Sequence, residues 1–232
     1  MRLIAVIPCR DEAGSVAAVV GGVLALAELG HPARVIVVDN GSTDATTAVA
    51  VAAGAMVVAQ PHSGYGWACH AGVSAALAAT PAADVVAFLD GDGSMPPAAL
   101  SQLVAPIAAG SADLVCGRRL IPASAMPWHQ RAGNELIGLE LRALYRLPLH
   151  ELGPFRAIRA STLATLAMPP SRYAWAAEML ARAAAAGARV TEVEVAYAER
   201  TAGRSKVGGS LRSSLLAAWD ICGTLALRRV GR

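Results

Sequence analysis

Short uninterrupted apolar runs, each ending in acidic, amide or glycine residues, alternate with alanine-rich stretches of helical length through the first half of this chain. The runs at 3–8, 34–39, 55–59, 84–89 and 113–117 read as strands; the stretches at 15–29 and 66–79 read as helices. Gly41-Ser42-Thr43-Asp44 has the composition of a turn leading into a capped helix. Strands that alternate with helices predict a mainly parallel, twisted α/β sheet with right-handed crossovers. The second half is less regular, with a last strand expected at 189–197. No repeat, low-complexity linker or composition break divides the chain, so a single domain is expected.

The polar ends of the runs carry the chemistry. Asp84-Val85-Val86-Ala87-Phe88-Leu89 runs straight into Asp90-Gly91-Asp92-Gly93-Ser94. A core strand ending this way delivers two carboxylates to the sheet edge where open α/β sheets bind ligands. Two hard oxygen ligands so placed suit Mg²⁺ or Mn²⁺ held against a diphosphate, whereas in isolation the same residues also make an ordinary turn. The first strand ends Pro8-Cys9-Arg10-Asp11-Glu12 and the second Asp39-Asn40-Gly41-Ser42-Thr43-Asp44. Three strand ends turning polar at one edge are hard to explain by packing alone. No GxGxxG follows the first strand and no GxxxxGK[ST] occurs, which argues against a dinucleotide fold and removes a P-loop.

Composition narrows the partners. The 232 residues suffice for one large α/β domain, and a net charge of +3 gives no reason to expect nucleic acid. Basic residues nevertheless crowd the last third, from Arg200 through Arg204, Lys206 and Arg212 to Arg232, which suits phosphate-bearing ligands or an anionic membrane surface. Cys9, Cys69, Cys116 and Cys222 form no CxxC pair, and the histidines lack metal-ligand spacing, as expected of reduced cytoplasmic thiols. No signal peptide is legible. The best membrane candidate, 215–227, is short and interrupted by Asp220, so the expectation is a cytoplasmic protein, soluble or peripheral at the inner face of the membrane.

Taken together, VIPCRDE, VVDNGSTD and the Asp90-Gly91-Asp92 strand end resemble family 2 glycosyltransferases of the GT-A fold, over 3–206 and in the family's order. The second half, with CGRR at 116–119, WHQRAGN at 128–134, LGPFRAI at 152–158, Trp175 to Met179, and RTAGRSK at 200–206, is similar to polyprenyl-phosphate glycosyltransferases, including dolichyl-phosphate mannose and glucose synthases. The resemblance implies a nucleotide-sugar donor, with Pro8, Arg10 and Glu12 in the base and ribose pocket and Asp39 on the base. It implies Asp90 on the nucleotide side, Asp92 on the metal, and Arg118 and Arg131 on a lipid phosphate. It also implies that the segment carrying Arg204, Ser205 and Lys206 folds over the donor diphosphate. Ser94 stands where many such enzymes carry a glutamine that completes the metal shell; its hydroxyl is a possible ligand. Residues 1–118 would form the nucleotide-sugar-binding half, 119–209 the acceptor-binding half, and 210–232 an amphipathic C-terminal helix. That helix, with Trp219, suits either a membrane surface or packing on the domain.

The chemistry follows from charge. Departure of a nucleoside diphosphate builds negative charge, which a metal on Asp92 and the cations Arg204 and Lys206 would stabilise. A phosphate acceptor, with a second pKa of about 6, is already an anion at neutral pH and needs cations such as Arg118, Arg119, Arg131 and Arg156 to orient it. A sugar-hydroxyl acceptor needs a base, for which Glu178 and Glu151 are candidates. The expected activity is inverting transfer of a hexose, UDP-glucose favoured over GDP-mannose, to polyprenyl phosphate. A hydroxyl or other lipid acceptor is the alternative. A sugar-1-phosphate nucleotidyltransferase is a distant one, because no glycine-rich basic loop follows the first strand.

Overall fold

The apolar runs do become strands, and the order in which they pair places the site. This is a computed structural model, describing residues 1–30, 32–120, 128–171, 174–198, 200 and 223, with only the backbone described at 29 and 128–134. Arg204, Ser205, Lys206, the helix expected within 210–232 and the side chain of Arg131 lie outside the described residues.

Seven strands form one sheet: β1 (Leu3–Cys9), β2 (Ala33–Asp39), β3 (Met56–Ala59), β4 (Val85–Phe88), β5 (Leu114–Leu120), β6 (Arg156–Arg159) and β7 (Val190–Ala196). Their order is β3-β2-β1-β4-β6-β5-β7. β6 runs antiparallel to both β4 and β5, while the remaining pairings are parallel. The sheet is thus mainly parallel, as expected. The exception is a strand of four residues bracketed by arginines, which offers no apolar run for sequence reading to find. β5 also runs on past Gly117, so Arg118 and Arg119 lie on the strand rather than after it.

Helices α1 (Val16–Leu24), α2 (Thr46–Ala52), α3 (Tyr65–Ala78), α4 (Leu100–Ala108), α5 (Trp128–Tyr145), α6 (Ala160–Thr165) and α7 (Trp175–Ala185) flank the sheet. The stretch expected as one helix at 15–29 is α1 continued by a tighter 3₁₀ segment, Ala25–Leu29. Strand side chains alternate between faces. Ile4, Val6, Val86 and Phe88 pack with α3, α5 and α7, whereas Leu3, Ala5, Val85 and Ala87 pack with α1 and α4. Two apolar cores therefore sandwich the sheet, and the strands need apolar residues at every position. Gly72 lets α3 lie close on β1 and β2, because a Cβ there would overlap Val6 and come hard against Val38.

At the strand starts, carboxylates clamp neighbouring strands. Asp84 accepts from the Arg2 backbone N–H (2.7 Å) and guanidinium (3.0 Å). Asp113 does the same for Arg189 (3.0 and 2.8 Å). The opposite edge, where the parallel strands end, is left for chemistry.

Candidate active site

The loop after β1 is bound to the loop after β2 by side chains that bond to backbone. Asp11 adopts a left-handed backbone, with φ of 52°, a conformation that aspartate tolerates better than most residues. Its N–H donates to Ser42 Oγ (3.0 Å), and its Oδ1 accepts from the Thr43 N–H at 2.7 Å. The Glu12 N–H donates to Thr46 Oγ1 (2.8 Å) and the Ala13 N–H to Asp44 Oδ2 (3.2 Å). Asp44 also accepts from the Thr46 N–H at 2.9 Å. The expected turn therefore forms and holds the start of α2, but Asp44 acts from two residues before it rather than at the cap position. Asp39, at the end of β2, accepts from the Ser42 N–H (2.9 Å) and the Thr47 hydroxyl (3.1 Å).

Asn40 ties in a third loop. Its Nδ2 donates to the carbonyls of Gln60 (2.9 Å) and His62 (2.7 Å), and its Oδ1 accepts from the Gly64 N–H at 2.8 Å. Arg10 reaches the same loop through Ser63 Oγ (3.1 Å), and His62 stacks on Trp67 beside it. The three loops surround the end of β1, where burial, and then the charges of Glu12, Asp90, Asp39 and Asp92, push the Cys9 thiol well above its ordinary range.

The Asp90-Gly91-Asp92 turn packs directly on that thiol, and a Cβ at Gly91 would overlap Cys9 Sγ. From the other side, the buried Ser15 hydroxyl donates to the Gly91 carbonyl (2.8 Å). Asp92 is 2% exposed; its Oδ1 accepts from the Ser94 N–H (2.9 Å), and its Oδ2 lies 2.8 Å from Arg200 Nη2. Arg200 Nη1 lies 3.4 Å from Glu12 Oε1, so one guanidinium spans the expected ribose carboxylate and the expected metal carboxylate. The chain leaving β7 is held there by the Ala198 N–H, which donates to the Ser94 carbonyl at 2.9 Å. Asp90 is partly accessible. Burial, then the charge of Asp92, raise its carboxyl to about 7, against the opposing pull of Arg200, Arg119 and Arg156.

Among the described residues no group of three or more His, Cys, Asp or Glu side chains could hold a metal ion. What the site offers is a pair of carboxylates one residue apart, one of them driven toward its neutral form by burial and then by the charge of the other. That donor set fits a divalent cation whose other ligands come from a diphosphate and water, as with Mg²⁺ in phosphate sites. Ser94 is 1% exposed, and its backbone N–H and carbonyl are both engaged, the former on Asp92.

The arginines divide by partner. Arg156, 1% exposed at the start of β6, donates to the carbonyls of Gly153 (2.9 Å) and Pro154 (3.3 Å), and among the described residues makes no ion pair. Arg119 is held by Glu151 at 3.0 Å and lies over the Tyr197 ring, 5.2 Å from its centroid. Arg118 faces the exposed Glu194 at 3.4 Å. Glu178 is buried on α7, and its Oε1 lies 2.6 Å from Arg182.

Glu12, Asp90, Asp92 and Ser94 thus come together at one sheet edge, with Pro8 on β1, Asp39 at the end of β2 and Arg10 on the loop after β1. Arg118 stands off on the β5–β7 flank, and Glu178 faces its own helix neighbour. Sequence reading missed Ser15, Asn40 and the bridging position of Arg200. Ser15 lies at the start of the helix expected at 15–29, and nothing in that pattern points to its bond with the Gly91 carbonyl. Arg200 opened a motif whose later residues drew the attention.

The profile of "Glycosyl transferase family 2" matches residues 4–165. An uncharacterized glycosyltransferase of Mycobacterium tuberculosis (strain H37Rv) is 46% identical over 217 residues, covering 93% of this chain and 94% of the relative. The polyprenol monophosphomannose synthase of Mycolicibacterium smegmatis is 30% identical across 97% of this chain and 89% of its own length. Among solved structures, glucosyl-3-phosphoglycerate synthase from Mycobacterium tuberculosis, in complex with Mn²⁺, UDP and phosphoglyceric acid, superposes with a TM-score of 0.76. It is 22% identical and covers 98% of this chain and 78% of its own, a likeness of fold.

Proposed function

The chain belongs to glycosyl transferase family 2, and from that premise we propose that it transfers a hexose from a nucleoside diphosphate sugar to polyprenyl phosphate, inverting the anomeric carbon. The observation that carries the acceptor half is the state of the two carboxylates a hydroxyl acceptor would need. Glu151 is bonded to Arg119, and Glu178 to Arg182. A guanidinium already occupies each of these carboxylates, so neither is presented open to an incoming hydroxyl. A phosphate acceptor, already anionic, makes no demand on them. The phosphomannose synthase relative, named for a polyprenol phosphate product, supports the same reading.

In this reading Pro8, Arg10, Glu12 and Asp39 line the nucleoside pocket, with Asp90 and Asp92 beside the diphosphate. Mg²⁺ or Mn²⁺, held by Asp90, Asp92 and Ser94, would neutralise charge on the departing diphosphate. The structural neighbour solved with Mn²⁺ and UDP supports this use of a metal. An acceptor phosphate oxygen attacks the anomeric carbon as the bond to the diphosphate breaks, and the electron pair leaves with the nucleoside diphosphate. Arg118, on the β5–β7 flank, is the least tightly held of the described arginines assigned to the acceptor, since its contact with an exposed glutamate is of the kind worth ~0–1 kcal/mol. Arg156 supplies a buried positive charge, and Arg131, Arg204, Ser205 and Lys206 complete the acceptor and diphosphate sites. Residues 1–118 hold the donor, 119–209 the acceptor, and 210–232 rest at the inner membrane face where the lipid resides. Among the described residues no helix is long and apolar enough to cross a membrane.

A thermal-shift screen of UDP-glucose and GDP-mannose with Mn²⁺ tests the donor half. At a hundredfold excess over Kd, specific binding adds about 2.7 kcal/mol of stability. One donor is expected to raise Tm by several degrees, and only with metal. No shift with any nucleotide sugar overturns the reading.

A further inference from the structure

We propose that Arg200 is the resident cation of the donor site: it holds Glu12 and Asp92 together in the donor-free protein and yields Asp92 to a divalent cation only when a nucleotide arrives. This rests on the reading of Asp92 as a metal carboxylate beside a nucleoside diphosphate.

Three observations carry it. The Glu12 and Asp92 side chains are 7% and 3% exposed, so each carboxylate has lost most of its water and needs a positive partner. One guanidinium serves both, with Nη1 toward Glu12 at 3.4 Å and Nη2 toward Asp92 at 2.8 Å. A planar fork can span two acids in this way, where an ammonium acts as a single point. The third observation is mobility of role. Arg200 is 28% exposed and, among the described residues, lies two residues beyond the last backbone bond, from Ala198 to Ser94, that ties its segment to the site. It can turn toward an arriving anion without unmaking β7.

The consequence is an order of binding. Both oxygens of Asp92 are engaged, one by the Ser94 N–H and the other by Arg200. A bare cation has to displace a bonded guanidinium and leave it facing Glu12 alone. A nucleoside diphosphate removes that penalty by giving the guanidinium a new anionic partner. Metal and nucleotide then bind cooperatively, and by linkage each raises the affinity of the other by the same factor.

Titration of Mn²⁺, with the free ion followed by electron paramagnetic resonance, tests this on wild-type, Arg200→Gln and Arg200→Lys proteins, alone and with saturating UDP or GDP. Circular dichroism and a melting curve establish that each variant is folded. Wild-type protein is expected to bind Mn²⁺ weakly alone and at least ~10-fold more tightly with nucleotide, a coupling of about 1.4 kcal/mol. Arg200→Gln is expected to bind Mn²⁺ alone ~10-fold more tightly than wild type, with most of the nucleotide enhancement gone. Arg200→Lys falls between them and decides the matter if the glutamine variant does not fold. Mn²⁺ binding that is no tighter in either variant, with nucleotide enhancement unchanged, overturns the inference while leaving the metal site standing. No Mn²⁺ binding with either nucleotide in any of the three proteins overturns the metal reading itself, and the inference with it.

Discussion

Gly91 shows how little room the acidic turn has. It separates two carboxylates and rests on the Cys9 sulfur, with Ser15 fastening its carbonyl. Gly91→Ala is expected to lower stability by ~1–3 kcal/mol, the usual cost of overpacking a filled core, and to weaken Mn²⁺ binding together with it. Chemical denaturation and a Mn²⁺ titration check both. Cys9→Ala in the same chain should recover part of the loss by making space. Glu178 separates stability from catalysis. Replacing it with glutamine removes the anion that Arg182 faces at 2.6 Å, so Tm is expected to fall. Turnover on a phosphate acceptor should stay within ~10-fold of wild type, because no proton has to be taken from the nucleophile. A loss of turnover of ~10³-fold or more with Tm unchanged would make Glu178 a base and the acceptor a hydroxyl.

Among the elements, the strand starts and the strand ends divide the labour. At the starts, Asp84 is held down to about 2, chiefly by its hydrogen bond to the Arg2 side chain. A free aspartate titrates near ~3.9, so this contact contributes stability in full above that pH and loses it as pH falls through about 2. Asp84→Asn is expected to flatten the acid-unfolding curve between about pH 4 and pH 2 and to leave the donor site unaffected; an unchanged slope would remove Asp84 as its source. At the ends, Asn40 is the knot. Asn40→Ala removes three hydrogen bonds to the loop that follows β3 and should cost ~2–4 kcal/mol, with a larger rise in donor KM than fall in kcat. Titrated melting and steady-state kinetics separate the two effects. These elements also show what the sequence could convey. β1, β2 and β4 were legible because a strand buried on both faces needs apolar residues at every position, and the acids that follow stand out against them. β6 was not, since Arg156-Ala157-Ile158-Arg159 carries no run and is recruited only by the pairing of its neighbours. α5, with its polar and glycine-interrupted start, was likewise missed. The bridge from Arg200 to Glu12 joins residues 188 apart in the chain, a closeness that only the packed sheet creates.

In the whole molecule, a sheet buried between two apolar layers carries clamping ion pairs at the starts of β4 and β5, and the Arg200 bridge with its buried carboxylates at the strand ends. The residues proposed for the donor gather around β1, β2 and β4, and Arg118, Arg119 and Arg156 lie on β5 and β6, so in this reading the line between β4 and β6 is where donor and acceptor would meet. Asp90 stands on that line, its carboxyl raised to about 7 by burial and then by Asp92, against the pull of the arginines. The antiparallel β6 brings Arg156 beside it, in register with Phe88. The central claim is that an anionic phosphate is the nucleophile at this junction. Its most direct test is turnover with Mn²⁺ and the donor found in the thermal screen, offered either polyprenyl phosphate or the matching polyprenol and analysed by mass spectrometry of the lipid fraction. The account predicts a hexosyl-phosphate lipid from the first and no glycolipid from the second. Transfer to the alcohol, or to a soluble sugar while polyprenyl phosphate stays unmodified, would contradict it.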